Sequence, residues 1–188
     1  MTTGENLRSS GPHGPRPWHV DVTEGGSFGD VLGVTPQICH DRWDRISPRS
    51  AHALARLRID VLVVEAGSPH AELDADDLAA GTEHVWIADR DVAVAYLRAV
   101  QLEDGTRCVD RLCARRDVRA LGLTGALVDD LVGRHGGDAI RALAAAECVP
   151  IFVQHGFEVC GPPATLPAGP HTPMTRYSEA PWREAYRR

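Results

Sequence analysis

Arg115-Arg-Asp-Val-Arg-Ala-Leu-Gly-Leu-Thr-Gly-Ala-Leu-Val-Asp-Asp-Leu-Val-Gly-Arg-His-Gly-Gly137 reads as a strand end, a glycine-containing loop and a helix. Residues 107–114 ahead of it form a strand candidate, with Val109 and Leu112 set among Cys108 and Cys113. Behind it, Leu123, Leu127, Leu131 and Val132, with Ala126 and Val128 beside them, recur at the spacing of one helix face. The backbone from Arg119 to Gly125 opens that helix. Its N–H groups lack a partner one turn back, and the helix dipole adds to them, so the loop favours an anion, typically a phosphate. Gly122 and Gly125 alone would suit any strand-to-helix turn; the order of elements around them is what points to a ligand.

At 188 residues the chain is long enough for one domain with a sizeable core, plus tails. A net charge of −6 argues against a nucleic-acid partner. All 20 basic residues are arginine, which reflects coding bias rather than chemistry. No window reaches the ~20 apolar residues of a membrane span, and the first residues lack the apolar centre of a secretion signal. The five cysteines are irregularly spaced and form neither zinc-type pairs nor a disulfide framework. A cytoplasmic protein with no metal and no membrane partner is expected.

Residues 1–33 are rich in Gly, Pro and Ser and are expected to be a flexible extension. A single domain is expected over 34–176 and a C-terminal tail over 177–188. A first strand falls within 34–43. Ser47 and Pro48 supply a cap and a first-turn proline for a helix carrying Ala51, Leu54, Leu57 and Arg58 into 59–65. The acidic segment 66–81, with Glu72, Asp74, Asp76 and Asp77, reads mostly as a solvated loop. Stretches 83–88 and 92–102 alternate as two strands of a hairpin turning at 89–91. After the central helix come a strand over 138–145, a short helix over 149–155, and strands over 157–160 and 171–176. A proline-rich loop, 161–170, joins the last two.

Several of these stretches resemble the GNAT acyltransferase superfamily, in particular its ElaA-like branch. Arg119-x-x-Gly122-x-Thr124 followed by Leu127 is similar to the superfamily's acyl-CoA pyrophosphate loop, R/Q-x-x-G-x-G/A, with Ala120 and Thr124 where many members have glycine. Leu57-Arg58-Ile59-Asp60-Val61-Leu62-Val63-Val64-Glu65 resembles L-R-x-x-V-F-V-V-E. Ser68-Pro69-His70-Ala71-Glu72-Leu73-Asp74 onward resembles C-P-Y-x-E-x-D-G-x-D-L. His84 falls where the branch has a strand-opening histidine, and Arg111 where it has the arginine of G-R-V-x-V. Ile151-Phe152-Val153-Gln154-His155-Gly156-Phe157 resembles F-Y-x-x-x-G-F, and Gly169-Pro170-His171-Thr172-Pro173-Met174 resembles I-P-H-I-D-M. The resemblance implies an α/β (α+β) GNAT fold, a mixed, mainly antiparallel sheet flanked by helices. The departures imply an altered substrate or donor, or lost catalysis. Phe152 stands where the family tyrosine often protonates the departing thiolate, and Ala66 where a glutamine usually follows Glu65.

The activity so implied is an N-acyltransferase, moving an acyl group from a phosphopantetheine thioester to a small-molecule amine by direct attack. The donor is acyl-CoA or an acyl carrier protein. Such a reaction needs a donor clamp, a hydrogen-bond donor for the thioester oxygen, a base for the ammonium and an acid for the thiolate. On this resemblance Cys113 and Ala114 would splay the strand end toward pantetheine. Arg119, Ala120, Gly122, Thr124 and Gly125 would hold phosphate, and Phe152 would lie against the donor. Glu65 or Glu147 would be the base, its pKa raised by burial, with His84 and His171 as partners. Cys148, opening the short helix, is a candidate for a covalent route through a lowered thiol pKa. Arg115, Arg116, Arg119 and Arg134 would meet an acidic carrier surface. A GNAT scaffold without turnover, binding CoA, a metabolite or a protein, is the reading from another class, and a homodimer is left open.

Overall fold

A computed structural model describes residues 37–89, 92–166 and 168–178. The extension expected over 1–33, the hairpin tip at 90–91 and the tail beyond 178 lie outside them. The strands are β1 (Gln37–Asp41), β2 (Thr82–Asp89), β3 (Val92–Gln101), β4 (Arg107–Ala114), β5 (Ile140–Ala145), β6 (Glu158–Val159), β7 (Ala164–Leu166) and β8 (Gly169–Arg176). They form one sheet in the order β1-β2-β3-β4-β5-β8-β6, with β7 hairpinned onto β8. Only β4 and β5 pair in parallel among the described strands. The mixed, mainly antiparallel sheet expected from the sequence is the one observed.

The helices begin where their caps place them. Helix α1 (Pro48–Arg58) opens on Ser47, whose hydroxyl accepts the Ser50 amide at 3.1 Å, and it continues into a π-helical segment, Ile59–Glu65. A short turn, Arg116–Leu121, ends on Gly122 at φ +71, a left-handed conformation that glycine adopts without a Cβ clash. That reversal aims the chain into α2 (Leu123–His135); α3 (Val149–Gln154) follows β5. No helix of the described residues is long and apolar enough to cross a membrane.

The helices cover both faces of β3, whose residues 93–99 are all buried. On one face Val94, Leu97 and Ile87 pack with Leu127, Val128 and Leu131 of α2 in the main core. On the other, Tyr96 and Cys113 pack with Leu54 and Leu57 of α1. Burying each such aliphatic side chain is worth roughly 1.5–3 kcal/mol, which fixes both helices against the sheet.

Two expectations need correction. The proline-rich loop 161–170 contains β7, an edge strand bonded on one side only, where neighbouring prolines are tolerated. The acidic segment 66–81 is solvated only in part, with Asp76 exposed but Glu72 and Asp77 buried. Glu72 and Asp77 are each 4% exposed and fold onto Arg58 and Arg98, which are 0% and 1% exposed. Arg58 Nε donates to Glu72 Oε1 at 2.8 Å and its Nη1 to Asp77 Oδ1 at 2.6 Å. Arg98 donates to Asp74 at 2.5 Å and to Asp110 at 2.7 Å. Charges leave water only when paired and hydrogen-bonded, and here each finds its partner across the fold.

His84 belongs to this network rather than to a pocket. Its Nδ1 lies 2.6 Å from the Tyr96 hydroxyl and its Nε2 3.0 Å from the Asp77 carbonyl oxygen. Burial holds its pKa below the ordinary histidine value. Fully buried and bonded at both nitrogens, it has a structural place.

Candidate active site

The parallel pairing of β4 and β5 runs through Arg107↔Ile140, Cys108↔Arg141 and Val109↔Ala142, and there it ends. Beyond it the two strands part around a cavity of about 610 Å³. Small-molecule sites span roughly 300–1,000 Å³. Cys113 and Ala114 line this cavity, and the split between the strands begins before them, just after Val109. The edge of β4 that faces β5 is therefore without a strand partner from Asp110 onward.

The opposite edge of β4 is distorted at the same level. Its register with β3 slips between Tyr96↔Cys113 and Arg98↔Asp110, so Leu97 faces Arg111 and Leu112 together. Arg111 has φ +53 and is the one non-glycine residue with positive φ among those described. Left-handed backbone costs a residue with a Cβ roughly 1–2 kcal/mol. The side chain supplies an offset. Its Nη2 donates to Asp74 Oδ2 at 3.1 Å, and its Nε lies 3.3 Å from Glu72 Oε1, in ion-pair range without hydrogen-bond geometry.

Four carboxylates line the cavity: Glu65, Glu72, Asp110 and Glu147. Three are held by arginine. Glu65 meets Arg119 in a two-pronged pair at 2.6 and 2.8 Å. The Arg119 hydrogen bonds hold its carboxyl below the usual value, the reverse of the rise expected from burial. Glu72 is bonded by Arg58 and Asp110 by Arg98. Glu147 takes no bond from a described cation, and Arg119 acts on it only through space.

Two histidines share these walls. His171 donates from Nδ1 to the Gly169 carbonyl at 2.9 Å, which leaves Nε2 as the acceptor of the neutral ring. His70, missed as a site residue, lies 2.8 Å from Glu72 through Nε2 and 2.7 Å from the Ser68 carbonyl through Nδ1. Its signal was its place among acids, inside a segment read as solvated.

At the start of α2, Arg119 and Thr124 line the cavity, whereas Ala120, Gly122 and Gly125 do not. Phe152 closes the wall, 2% exposed, its ring edge-to-face with Phe157 at 5.0 Å. The Cys148 thiol is pushed up to about 11, by burial first and then by Glu147, the reverse of the lowering expected for a covalent cysteine route. Burial also raises Cys113. Arg134 is far from this end. It sits on the last turn of α2, bonded to Glu83 and Asp130, roughly 15 Å along the axis from Thr124 at 1.5 Å per residue.

No family model matches the sequence. UPF0039 proteins of Mycobacterium bovis and Mycobacterium tuberculosis are 34% identical to it over 135 residues, covering 70% of this chain and 86% of theirs. An acyl-CoA N-acyltransferase from Pseudomonas aeruginosa superposes with a TM-score of 0.70 at 22% identity, over 76% of this chain and 99% of that one. Escherichia coli ElaA gives 0.69 at 22% identity, over 74% and 99%. A CoA-dependent acyl-homoserine lactone synthase solved with SAM and isopentyl-CoA gives 0.58 at 19% identity, over 75% and 82%. The chain therefore belongs to the UPF0039 family, and its fold is that of the GNAT acyltransferase superfamily to which ElaA's structure conforms.

Proposed function

We propose that this protein is an N-acyltransferase of the GNAT type, moving an acyl group from a cytoplasmic phosphopantetheine thioester, as acyl-CoA or on an acyl carrier protein, to a small-molecule amine. The split between β4 and β5 carries this reading. It leaves a strand edge unpaired beside a cavity, and an extended chain bearing amides can pair with such an edge. Arg119, Thr124 and the start of α2 suit the donor phosphate at one end. Glu147 and His171 stand ready for the amine elsewhere on the wall. The acyl-CoA chemistry named for the Pseudomonas protein and the isopentyl-CoA bound by the lactone synthase support the same donor class.

Glu147 is a better base than Glu65, because a carboxylate gripped by a guanidinium is a weak proton acceptor. In the reaction Glu147 takes a proton from the ammonium, and the neutral amine attacks the thioester carbonyl. An N–C bond forms and the C–S bond breaks. The nitrogen's second proton passes by way of water to the departing thiolate, since Phe152 has no hydroxyl to offer.

Intact-mass assays of pooled amines, with acetyl-CoA and separately with an acyl-loaded carrier protein, test the proposal. An acylated amine with either donor is the expected result. Tight CoA binding with no product from either would favour a scaffold without turnover, a reading supported by Phe152 and by the Arg119–Glu65 pair.

A further inference from the structure

We infer that Arg111 is a positioning residue for acyl transfer: gripped by Glu72 and Asp74, it holds the β4 bulge that presents backbone of residues 111–113 to the donor's thioester carbonyl. The inference rests on the acyltransferase reading above.

Three observations meet at this residue. The bulge, where Leu97 faces both Arg111 and Leu112, lies just past the point at which β4 loses β5 as a partner. Bulges bend a strand, re-aim its groups and are frequent beside active sites. The left-handed backbone of Arg111 persists in a residue with a side chain only where the surroundings over-determine it. Those surroundings are firm. Glu72 is itself fixed by buried Arg58, and Asp74 by buried Arg98. The acidic segment is thus anchored in the interior and holds the bulge of β4 through the Arg111 guanidinium, beside the bridge that Arg98 makes from Asp74 to Asp110.

A glycine would take the same backbone angle without strain but give the acidic segment nothing to hold. An unbulged strand would need neither. An arginine at this position ties the cavity face of β4 to the buried charge network, so the bulge cannot relax back into register. Negative charge develops on the thioester oxygen during attack, and a backbone N–H must already be within hydrogen-bond reach of it. Arg111 itself makes and breaks no bond.

Arg111→Gly removes the grip while relieving the backbone strain, so it is expected to fold with a melting temperature near that of the wild type. Its kcat should fall ~10- to 100-fold with donor KM within about twofold, because small misplacement of the reacting group is costly. The carbonyl stretch of bound 13C-acetyl-CoA, shifted to low frequency on the wild type, should move back toward its value in water. Arg111→Lys, a cation without the fork, should recover part of the rate. A glycine variant with wild-type kcat and an unaltered carbonyl band, or one whose loss is confined to donor KM, overturns the inference. Should that variant not fold, Asp74→Asn loosens the same grip from the other side and must lower kcat at constant donor KM; unchanged kcat there also overturns it. A wild type that binds neither acyl-CoA nor an acyl-loaded carrier protein removes the acyltransferase reading and this inference with it, a result visible from binding before any variant is made.

Discussion

Arg119 and Glu65 form an ion pair across the cavity, Nη1 to Oε1 at 2.6 Å and Nη2 to Oε2 at 2.8 Å, between positions 54 apart in the chain. One partner stands on the turn before α2 and the other at the end of the π-helical segment. The same guanidinium is the group that the phosphate-loop reading assigns to the donor. On that reading carboxylate and phosphate compete for one fork of N–H donors.

Both side chains are more than a third exposed, which limits the pair to ~0–1 kcal/mol. Glu65→Gln is accordingly expected to bind CoA up to about fivefold more tightly in a calorimetric titration, since ~1 kcal/mol corresponds to that factor. The sign is informative: weaker binding would mean that Glu65 orients Arg119 for phosphate rather than competing with it. Because the folded pKa of Glu65 is lowered, its contribution to stability is present above the ordinary value of 4.5 and lost as pH falls through the lower folded value. The Gln variant should lose that small acid-side dependence.

Glu147→Gln should lower kcat by ~100- to 10,000-fold while leaving donor KM nearly unchanged, the pattern of a lost general base. Steady-state kinetics across pH decide the matter. A variant with near-wild-type rate passes the role to His171 Nε2, tested by His171→Asn.

Arg58→Met leaves Glu72 and Asp77 buried without their main cation and should cost about 3–5 kcal/mol in urea unfolding. The same network sets the acid limit of the fold. Burial by itself raises the Asp77 carboxyl, but the Arg58 hydrogen bond and its neighbours outweigh it, and Asp74 is likewise lowered against its burial by Arg98. Their stabilisation is full above the unfolded value of 3.8 and is lost as pH falls through the lower folded values. Acid titration by circular dichroism should show cooperative unfolding in that range, at higher pH in Arg58→Met.

Arg115 and Arg116 stand at the turn before α2, Arg115 bonded to Asp117 at 2.6 Å, whereas Arg134 is occupied at the far end of α2. Changing Arg115 and Arg116 to Gln should reduce carrier-dependent turnover steeply and in a salt-sensitive way, because exposed charges are screened over ~10 Å at 0.1 M salt. The rate with a short pantetheine thioester should barely change. Equal losses with both donors would exclude carrier recognition through this face.

The elements of this chain are legible in its sequence because their signals are short-range. Ser47 and Pro48 start α1, the period of Leu123, Leu127 and Leu131 sets the buried face of α2, and the alternation of 83–88 and 92–102 makes the β2–β3 hairpin. The ordered signature stretches carry the GNAT fold for the same reason, each being a local pattern at near-fixed spacing. Charge pairing is not local. Arg58 finds Glu72 and Asp77 at separations of 14 and 19 residues, and Arg119 finds Glu65 at 54. Composition shows that such charges exist, but only the packed fold decides which are desolvated together. That is why Glu72 and Asp77, read as solvated, join a buried lattice, why His84 belongs to that lattice and not to the cavity lining, and why Glu65 is paired with Arg119 while Glu147 takes no bond from a described cation. The left-handed backbone of Arg111 is likewise invisible along the chain: it coincides with ion pairs to Glu72 and Asp74, which arrive from another segment.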